Sequence, residues 1–448
     1  MPASSGAKTD CLVVAAMARL RSPTEANRQH QRERSSQMAQ EPWKSDDFFV
    51  SPWNYADEVR KELAFPKNIK VHDVTLRDGE QQTGIIFTKD DKIRIAEALA
   101  EAGVHRIEAG MPVVSPDDDG AIREIVKRNL GPEIFAFARC MKDDVKRAID
   151  TGVKGIVMEI PSSQHLVELA YRWKMEKAIE TSIESTRYAH ENGLEVVFFP
   201  IDFSRAELKW AIDLIERVGK EGHMDALALV DTFGVLSPHS ARYFVREVKK
   251  RMGGIRLETH FHQDFGMGVA NTIMGLAEGA SVMHTTVLGV GERSGNAPME
   301  EVVMALKTLY GVDIGIDTTK LYGLANLVQR LADVKVPSNK AIVGSGLYQI
   351  ESGIITSWFK NCGEDLATEV FPIRWDAVGQ PPAEIVMGKG SGIDSVNLWL
   401  QECGMQASQD DAMKILMTVK QHALKTKKML TKGEFRDLAR KVIGTAAA

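Results

Sequence analysis

The feature that most constrains this chain is an alternation of strand-like and helix-like segments that recurs eight times between Lys70 and about Tyr310. The strand-like segments are short, apolar and often β-branched, and they read IKVHDVTL, HRIEAGM, EIFAFAR, KGIVMEIP, LEVVFFP, DALALVD, IRLETHFH and SVMHTTVLG. Between them, apolar residues recur at helical spacing, and several of these stretches end at glycine. They include Lys89 to Gly103, Met141 to Gly152, Met175 to Gly193, Ala206 to Gly219, Pro238 to Met252 and Met267 to Gly279.

Eight strand-helix units within about 240 residues match the size of a (β/α)8 barrel. We therefore predict an α/β fold, a TIM barrel followed by a mostly helical C-terminal extension. A doubly wound open sheet is the alternative, but it favours a glycine-rich phosphate turn after an early strand, and the sequence has none there.

The 448 residues are too many for one small domain, and we divide them into four segments. Residues 1–45 are predicted to be a disordered or non-native extension, either a transit peptide or a stretch upstream of a true start at Met38. The barrel is placed at 46–311, a post-barrel linker or subdomain at 312–395, and a helical segment at 396–448.

Composition excludes several classes of function. The chain is 44% hydrophobic and 26% charged, with a net charge of −5, and no apolar run approaches the roughly 20 residues that a membrane helix needs. Neither a membrane span nor nucleic-acid binding is predicted. The four cysteines are scattered without C-x-x-C spacing, which favours a reducing, cytoplasmic setting.

Polar residues collect at the ends of the predicted strands, where a barrel of this type carries its active site. They are Thr75, Arg77, Asp78, Glu108, Arg139, Ser162, Ser163, Asp231, Thr232, His260 and His262. A single polar residue at a strand end is unremarkable, but a ring of them predicts a site.

The stretch THFH indicates a metal site within this ring. Residues i and i+2 of a strand share a face, so His260 and His262 can reach one ion from inside the barrel. Asp78 can add an oxygen ligand, and Arg77 beside it offers a hydrogen-bonding fork for a developing oxyanion. The glycine-rich GVGERSGN permits close backbone approach to a ligand, and Asn296 could add a carbonyl oxygen. Such ligands suit Mg, Mn, Co or Zn, and spacing does not choose among them.

Taken together, the motifs resemble those of a known family of metal-dependent barrel enzymes. It comprises 2-isopropylmalate, homocitrate and citramalate synthases and, more distantly, hydroxymethylglutaryl-CoA lyase. The resemblance runs from about Ile69 to Val396 and is carried by TLRDGEQQTG, RIEAGMPVVSPDD, IPSSQHLVE, LVDTFGVLSP, THFHQDFGMGVANT, GVGERSGNAPMEEVV, SNKAIVG and MGKGSG. Ser294 stands in the glycine loop where the lyase branch carries cysteine, which favours the synthases.

The resemblance implies a division of roles. One divalent ion would be bound by Asp78, His260, His262 and Asn296. Arg77 would stabilise the oxygen of a bound 2-oxo acid, and Glu108 would support the same cluster. The expected substrate-binding residues are Arg77, Gln81, Arg139, Ser163 and Thr232. An acyl-CoA is the implied second substrate, and a homodimer formed through the post-barrel region is the implied assembly.

The sequence departs from the family where acyl-CoA is activated. Ile201 in FPID replaces the glutamate of SPED, Ile350 and Ile355 in IESGII replace the histidines of HESGIH, and Gly390 in GKGSG replaces that of GKHSG. General acid-base help is typically worth about 10² to 10⁴ in rate, so we expect a different second substrate, the reverse direction of reaction or a different base.

Four residues are candidates for that base, and Glu351 is the one we assign to catalysis. The others are Tyr348, Asp202 and His165. We therefore predict a divergent synthase that joins an acyl-CoA to a 2-oxo acid. Two alternatives stay open: a lyase that cleaves a 2-hydroxy diacid or its CoA ester, and a non-catalytic regulatory homologue that keeps the ion.

Overall fold

Eight parallel strands close into a barrel, as predicted. The computed structural model describes residues 41–446. Each strand pairs with the next along the chain, and the first pairs with the eighth. The strands are β1 Lys70–Asp73, β2 Arg106–Glu108, β3 Glu133–Arg139, β4 Gly155–Pro161, β5 Glu195–Ile201, β6 Ala226–Asp231, β7 Arg256–Phe261 and β8 Val282–Thr285.

Apart from α1, which precedes β1, the helices of this part of the chain follow the strands and cover the outside of the barrel. In chain order they are α1 Asp57–Arg60, α2 Lys89–Glu101, α3 Pro116–Arg128, α4 Lys142–Thr151, α5 Met175–Glu191, α6 Leu208–Glu221, α7 Pro238–Met252, α8 Gly268–Ala277 and α9 Met299–Leu309. The (β/α)8 barrel is thereby confirmed.

The first strand ends earlier than its apolar pattern indicates. The segment IKVHDVTL runs to Leu76, but β1 stops at Asp73. The carbonyl of Val74 accepts the backbone N–H groups of Arg77, Asp78 and Gly79 and so closes a tight turn. Because of this turn, Arg77 and Asp78 lie directly above the end of β1, at the mouth of the barrel.

The interior of the barrel is divided into an apolar and an ionic layer. Side chains alternate between the two faces of each strand, and one apolar cluster is formed by interior residues of β3 to β6. Its members are Phe135, Phe137, Val157, Val197, Phe199, Ala226, Ala228 and Val230. Nearer the start of the strands, the buried Arg106 binds Glu133, Glu195 and Glu258 at 2.7 to 3.0 Å and so ties together four strands.

The chain beyond the barrel forms a subdomain and a helical extension. Its elements are α10 Leu321–Leu331, β9 Gln349–Ile350, α11 Gly353–Cys362, β10 Glu384–Ile385, α12 Ile393–Glu402, α13 Gln409–Thr426 and α14 Lys432–Ala446. The last three helices share a second hydrophobic core, which Trp399 and Phe435 join edge to face. The helical C-terminal extension is confirmed, whereas the segment boundaries at 312 and 396 stay predictions.

The predicted N-terminal extension falls mostly outside the described residues, which exclude 1–40. Within it, residues 43–45 take part in the fold, because Lys44 pairs with Glu369 at 2.6 Å and bridges to Phe49. Among the helices of residues 41–446, none combines the length and hydrophobicity that a membrane crossing requires.

Candidate metal centre

Asp78, His260 and His262 meet at the mouth of the barrel. One potential ligand atom from each lies within 4.8 Å of the other two, and all three residues are buried. The Nε2 atoms of His260 and His262 are 3.2 Å apart, and His260 Nε2 is 3.6 Å from Asp78 Oδ2. A carboxylate and two imidazoles converging in this way form a donor set suited to a divalent cation.

The glycine loop brings Asn296 to the same place. Residues 289–296 fold back onto the end of β7, where Asn296 forms a bridge with His262. The Asn296 side-chain amide donates to Asp78 Oδ1 at 2.7 Å. A Cβ at Gly291 would contact both the Asn296 amide and the Asp78 carboxylate, so only glycine allows this approach.

The electrostatics of the cluster favour metal-binding protonation states. Burial alone would raise the pKa of the Asp78 carboxyl, but Arg77 and the two imidazoles outweigh it and hold that pKa well below its usual range. Burial also lowers the pKa of His260 and of His262. The carboxylate is therefore ionised and the imidazoles neutral at pH 7, which are the forms that coordinate a cation.

The Arg77 guanidinium is held by two carboxylates and has one nitrogen without a hydrogen-bond partner among the described residues. Its Nε donates to Glu108 and its Nη1 donates to Asp78, while its Cζ lies 3.9 Å from the centre of the Phe137 ring. The buried Nη2 has no hydrogen-bond partner among the described residues. A buried donor of this kind lies ready for a ligand oxygen. Glu108 thus supports the cluster through Arg77.

His284 and Glu258, which the sequence analysis missed, orient His260 from inside the barrel. His284 Nε2 lies 2.9 Å from Glu258 Oε2, and His284 Nδ1 lies 3.3 Å from His260 Nδ1. When neutral, His284 donates a hydrogen bond from its Nε2–H to the carboxylate and accepts one at Nδ1 from the Nδ1–H of His260. The lone pair of His260 Nε2 then faces His262 and the cluster, as in carboxylate–histidine metal sites. The signal was present in the sequence, since Glu258, His260 and His262 alternate along one strand.

Two predicted substrate-binding residues lie at the mouth on the β1 and β3 sides. Arg139 ends β3, and its half-exposed guanidinium binds Asp144 at 2.7 and 2.9 Å. Gln81 is exposed in the turn Gly79–Gln81, beside a cavity of about 360 Å³ that Arg77 also lines. The structure does not bring Arg139 and Gln81 into contact with the three clustered donors.

Ser163 and Thr232 surround Asp202 instead. Ser163 Oγ donates to Asp202 Oδ2 at 2.6 Å, and Thr232 Oγ1 accepts the Asp202 backbone N–H at 2.8 Å. Arg205 and His165 also pair with this carboxylate, at 2.6 and 2.9 Å. The Asp202 carboxylate is bound by the side chains of Ser163, Arg205 and His165, so it is poorly placed to act as a base. His165 is in turn paired with Asp202.

The other two candidate bases lie in the post-barrel subdomain. Glu351 Oε1 accepts the backbone N–H of Gly390 at 2.7 Å. The Tyr348 hydroxyl donates to the carbonyl of Ile373, and burial raises the pKa of Tyr348 to about 12. Neither side chain joins the group around Asp78 within this chain.

The isoleucines that replace the family's acid-base residues are separated in the fold. Ile201 is the last residue of β5, where it pairs with Pro161 of β4. Ile350 is buried in β9 and pairs with Ile385, and Ile355 packs nearby in α11. They therefore belong to two different parts of the molecule and do not form one wall.

Glu159 was also missed by the sequence analysis. It lies two residues after Val157 on the interior face of β4 and two residues before the last residue of that strand. The signal was a single charged residue within the apolar run GIVMEIP.

Comparison with known proteins agrees with this geometry. The model of the family described as HMGL-like matches residues 68–328. The chain belongs to the HMGL-like family. Within this family it is 36% identical over 380 residues to homocitrate synthase of Methanothermobacter thermautotrophicus, which covers 85% of this chain and 94% of that protein. It is 37% identical over 350 residues to 2-isopropylmalate synthase of Methanocaldococcus jannaschii, covering 78% and 66%.

Among solved structures, HMG-CoA lyase of Bacillus subtilis superposes on this member of the HMGL-like family with a TM-score of 0.56. The match covers 62% of this chain and 98% of the lyase, at 21% identity, and shows the shared fold. The sequence relatives place the chain among the synthases. It is an enzyme, an acyltransferase of the isopropylmalate synthase type.

Proposed function

We propose that this enzyme is a divalent-metal-dependent synthase that condenses an acyl-CoA with a 2-oxo acid. The observation that carries the proposal is the convergence of Asp78, His260 and His262 within 4.8 Å beside the unpartnered Nη2 of Arg77. Asp78, His260 and His262 would hold the ion, with Asn296 completing the set. The buried His262 Nδ1 and Arg77 Nη2, both without partners among the described residues, fit a site built for further ligands.

The chemistry follows from charge development on a keto oxygen. When bound, a divalent ion polarises the carbonyl of a chelated 2-oxo acid. A base removes a proton from the acyl methyl group, and the resulting carbon attacks the keto carbon while the carbonyl electron pair moves to oxygen. Arg77 Nη2 donates a hydrogen bond to that oxygen, and because Glu108 and Asp78 hold the guanidinium in place, no reorganisation is needed. The base then returns its proton to that oxygen, which becomes a hydroxyl group, and water cleaves the thioester to a carboxylate and the CoA thiol.

The departures from the family concern only the base. Ile201 cannot accept a proton, and neither can Ile350, Ile355 or Gly390, so the usual groups that activate acyl-CoA are absent from the matching positions. The proposed metal ligands Asp78, His260 and His262 are retained and lie close together, and Arg77, the proposed oxyanion donor, is hydrogen-bonded to Asp78. This combination favours an active enzyme with a different base over a degenerate, non-catalytic copy.

Thiol release tests the proposal. Purified protein with Mn²⁺, acetyl-CoA or propionyl-CoA, and 2-oxo acids from pyruvate to branched and dicarboxylic members is assayed with a chromogenic disulfide. We expect thiol release with at least one pair and none from Asp78→Asn. Release of no thiol from any pair would overturn the proposal. Cleavage of a 2-hydroxy diacid to a keto acid under the same conditions would establish the lyase reaction instead.

We also infer a homodimer built on the post-barrel subdomain. Ile354 and Trp358 lie one helical turn apart on α11 and are 66% and 53% exposed. Large apolar side chains on one helix face favour burial against a partner surface. This is the region through which related synthases are expected to dimerise.

A further inference from the structure

Glu159 lies between residues that border the candidate metal centre. In the sheet it is level with Arg139 of β3 and with Phe199 of β5. The Phe199 ring packs edge to face against His260 with centroids 4.8 Å apart, and the Arg77 guanidinium lies 5.8 Å from the same ring. Phe199, the neighbour of Glu159 on β5, therefore contacts the proposed metal ligand His260 and lies close to the proposed oxyanion donor Arg77.

The Glu159 carboxyl has no hydrogen-bond or ion-pair partner among the described residues, and it is neither fully buried nor fully exposed. The adjacent Arg139 is engaged with Asp144. Other carboxylates of the barrel interior are paired, Glu108 with Arg77 and Glu258 with Arg106 and His284. A carboxyl left unpaired on an interior face has lone pairs available to a substrate.

We propose that Glu159 is the general base that takes the acyl methyl proton in the condensation. The inference rests on the proposed function and supplies the group that Ile201 cannot provide. In this step the methyl C–H bond breaks, the proton passes to a Glu159 carboxylate oxygen, and the electron pair stays on the carbon that attacks the keto group.

The surroundings of Glu159 match this role. The charged and titratable groups around it are Arg77, Asp78, Arg139, Cys140, Asp144 and Tyr171. Burial raises the pKa of Glu159 to about 7, opposed by the two arginines and reinforced by the two aspartates. A base whose pKa lies near the working pH combines a useful deprotonated fraction with a strong drive to accept a proton.

The test compares Glu159→Gln and Glu159→Asp with Glu168→Gln, which removes an exposed carboxylate after the same strand. Thiol release is measured with Mn²⁺ and the pair that the wild type turns over. Loss of deuterium from trideuterioacetyl-CoA to water is followed in parallel by mass spectrometry, and Mn²⁺ affinity is measured by calorimetry.

We expect Glu159→Gln to lower kcat by about 10² to 10⁴ and to slow deuterium loss by a similar factor, with Mn²⁺ affinity unchanged. The wild-type kcat/KM should rise with pH through about 7, because the base must be deprotonated, and this rise should be absent from Glu159→Gln. Glu159→Asp should recover part of the rate, and Glu168→Gln should match the wild type.

Two outcomes overturn the assignment while the proposed function stands. One is wild-type thiol release with Glu159→Gln retaining kcat within about threefold and the same pH dependence. The other is a raised KM for the 2-oxo acid with deuterium loss intact, which would make Glu159 a binding residue. Absence of thiol release from the wild type overturns the proposed function and this inference together.

Discussion

At the scale of single residues, His260 is the proposed metal ligand most enclosed by the protein, since its two ring nitrogens face His284 and His262. We expect His260→Ala to abolish the heat of Mn²⁺ binding in calorimetry. In the wild type, Mn²⁺ at about 100 times its Kd should stabilise the fold by about 2.7 kcal/mol, and the variant should lose this gain. His239→Ala, at an exposed histidine of α7, is the control. Equal Mn²⁺ stabilisation in both variants would contradict the assignment of the site.

Arg106 is a buried residue whose replacement is expected to lower the stability of the barrel. It is almost fully buried and pairs with Glu133, Glu195 and Glu258. Replacing it with Met removes one partner of the fully buried Glu258, and breaking a buried pair costs about 3 to 5 kcal/mol. Urea unfolding should show this loss, whereas Arg123→Met, at an exposed pair on α3, should cost less than about 1 kcal/mol. Similar urea unfolding midpoints for the two variants would show that Arg106 and its three glutamates do not stabilise the barrel.

The same layer has a predictable dependence on pH. Burial raises the pKa of Glu258, but His284 and Arg106 outweigh it and hold the pKa well below its usual range. A depressed folded-state pKa stabilises the protein above the unfolded-state pKa, and this contribution is lost as the pH falls through the folded-state pKa. Glu258 should therefore contribute its full stabilisation at neutral pH and lose it only in strong acid.

At the scale of elements, we expect the glycine loop to control how closely the proposed metal donors approach one another. Gly291 has φ +152°, and a Cβ there would lie 3.2 Å from Asp78 Oδ1 and against the Asn296 amide. We expect Gly291→Ala to lower Mn²⁺ affinity by about tenfold or more, because it displaces groups that orient the ligands. Gly254→Ala is a matched control, since Gly254 also has a positive φ of +91° but has open space around it. Both should lose some stability from backbone strain. Unchanged Mn²⁺ affinity in Gly291→Ala would show that the loop is not part of the site.

At the scale of the whole molecule, the prediction concerns assembly. Trp358→Ser removes the largest exposed apolar side chain of α11, and we expect it to weaken the dimer by about tenfold or more in sedimentation measurements. Trp53→Ser is the control, because Trp53 is 79% exposed but lies outside the post-barrel subdomain. A wild-type chain that sediments as a monomer at all concentrations would refute the proposed dimer.

The barrel could be predicted from the sequence because its strands are apolar runs of characteristic length separated by amphipathic helices. The residues at which those strands end could not be predicted in the same way. The strand β1 stops at Asp73, because the carbonyl of Val74 closes a turn that the apolar pattern does not show. For the site, the spacing of His260 and His262, two residues apart at the end of β7, indicated that their side chains share a face. The prediction of Glu351 as the base was drawn from a motif. In the structure its carboxylate accepts a hydrogen bond from the backbone N–H of Gly390.

The sequence by itself determined which residue types are available and which of them share a strand face, because those relations are local. Only the tertiary structure decided that Asn296 reaches Asp78 from 218 residues away, that Glu258 and His284 orient His260, and that Glu159 is left without a partner. Closure of the barrel brings the ends of eight distant strands to one opening. Which charges meet there, and which remain unpaired, depends on strand register and loop geometry that no local pattern encodes.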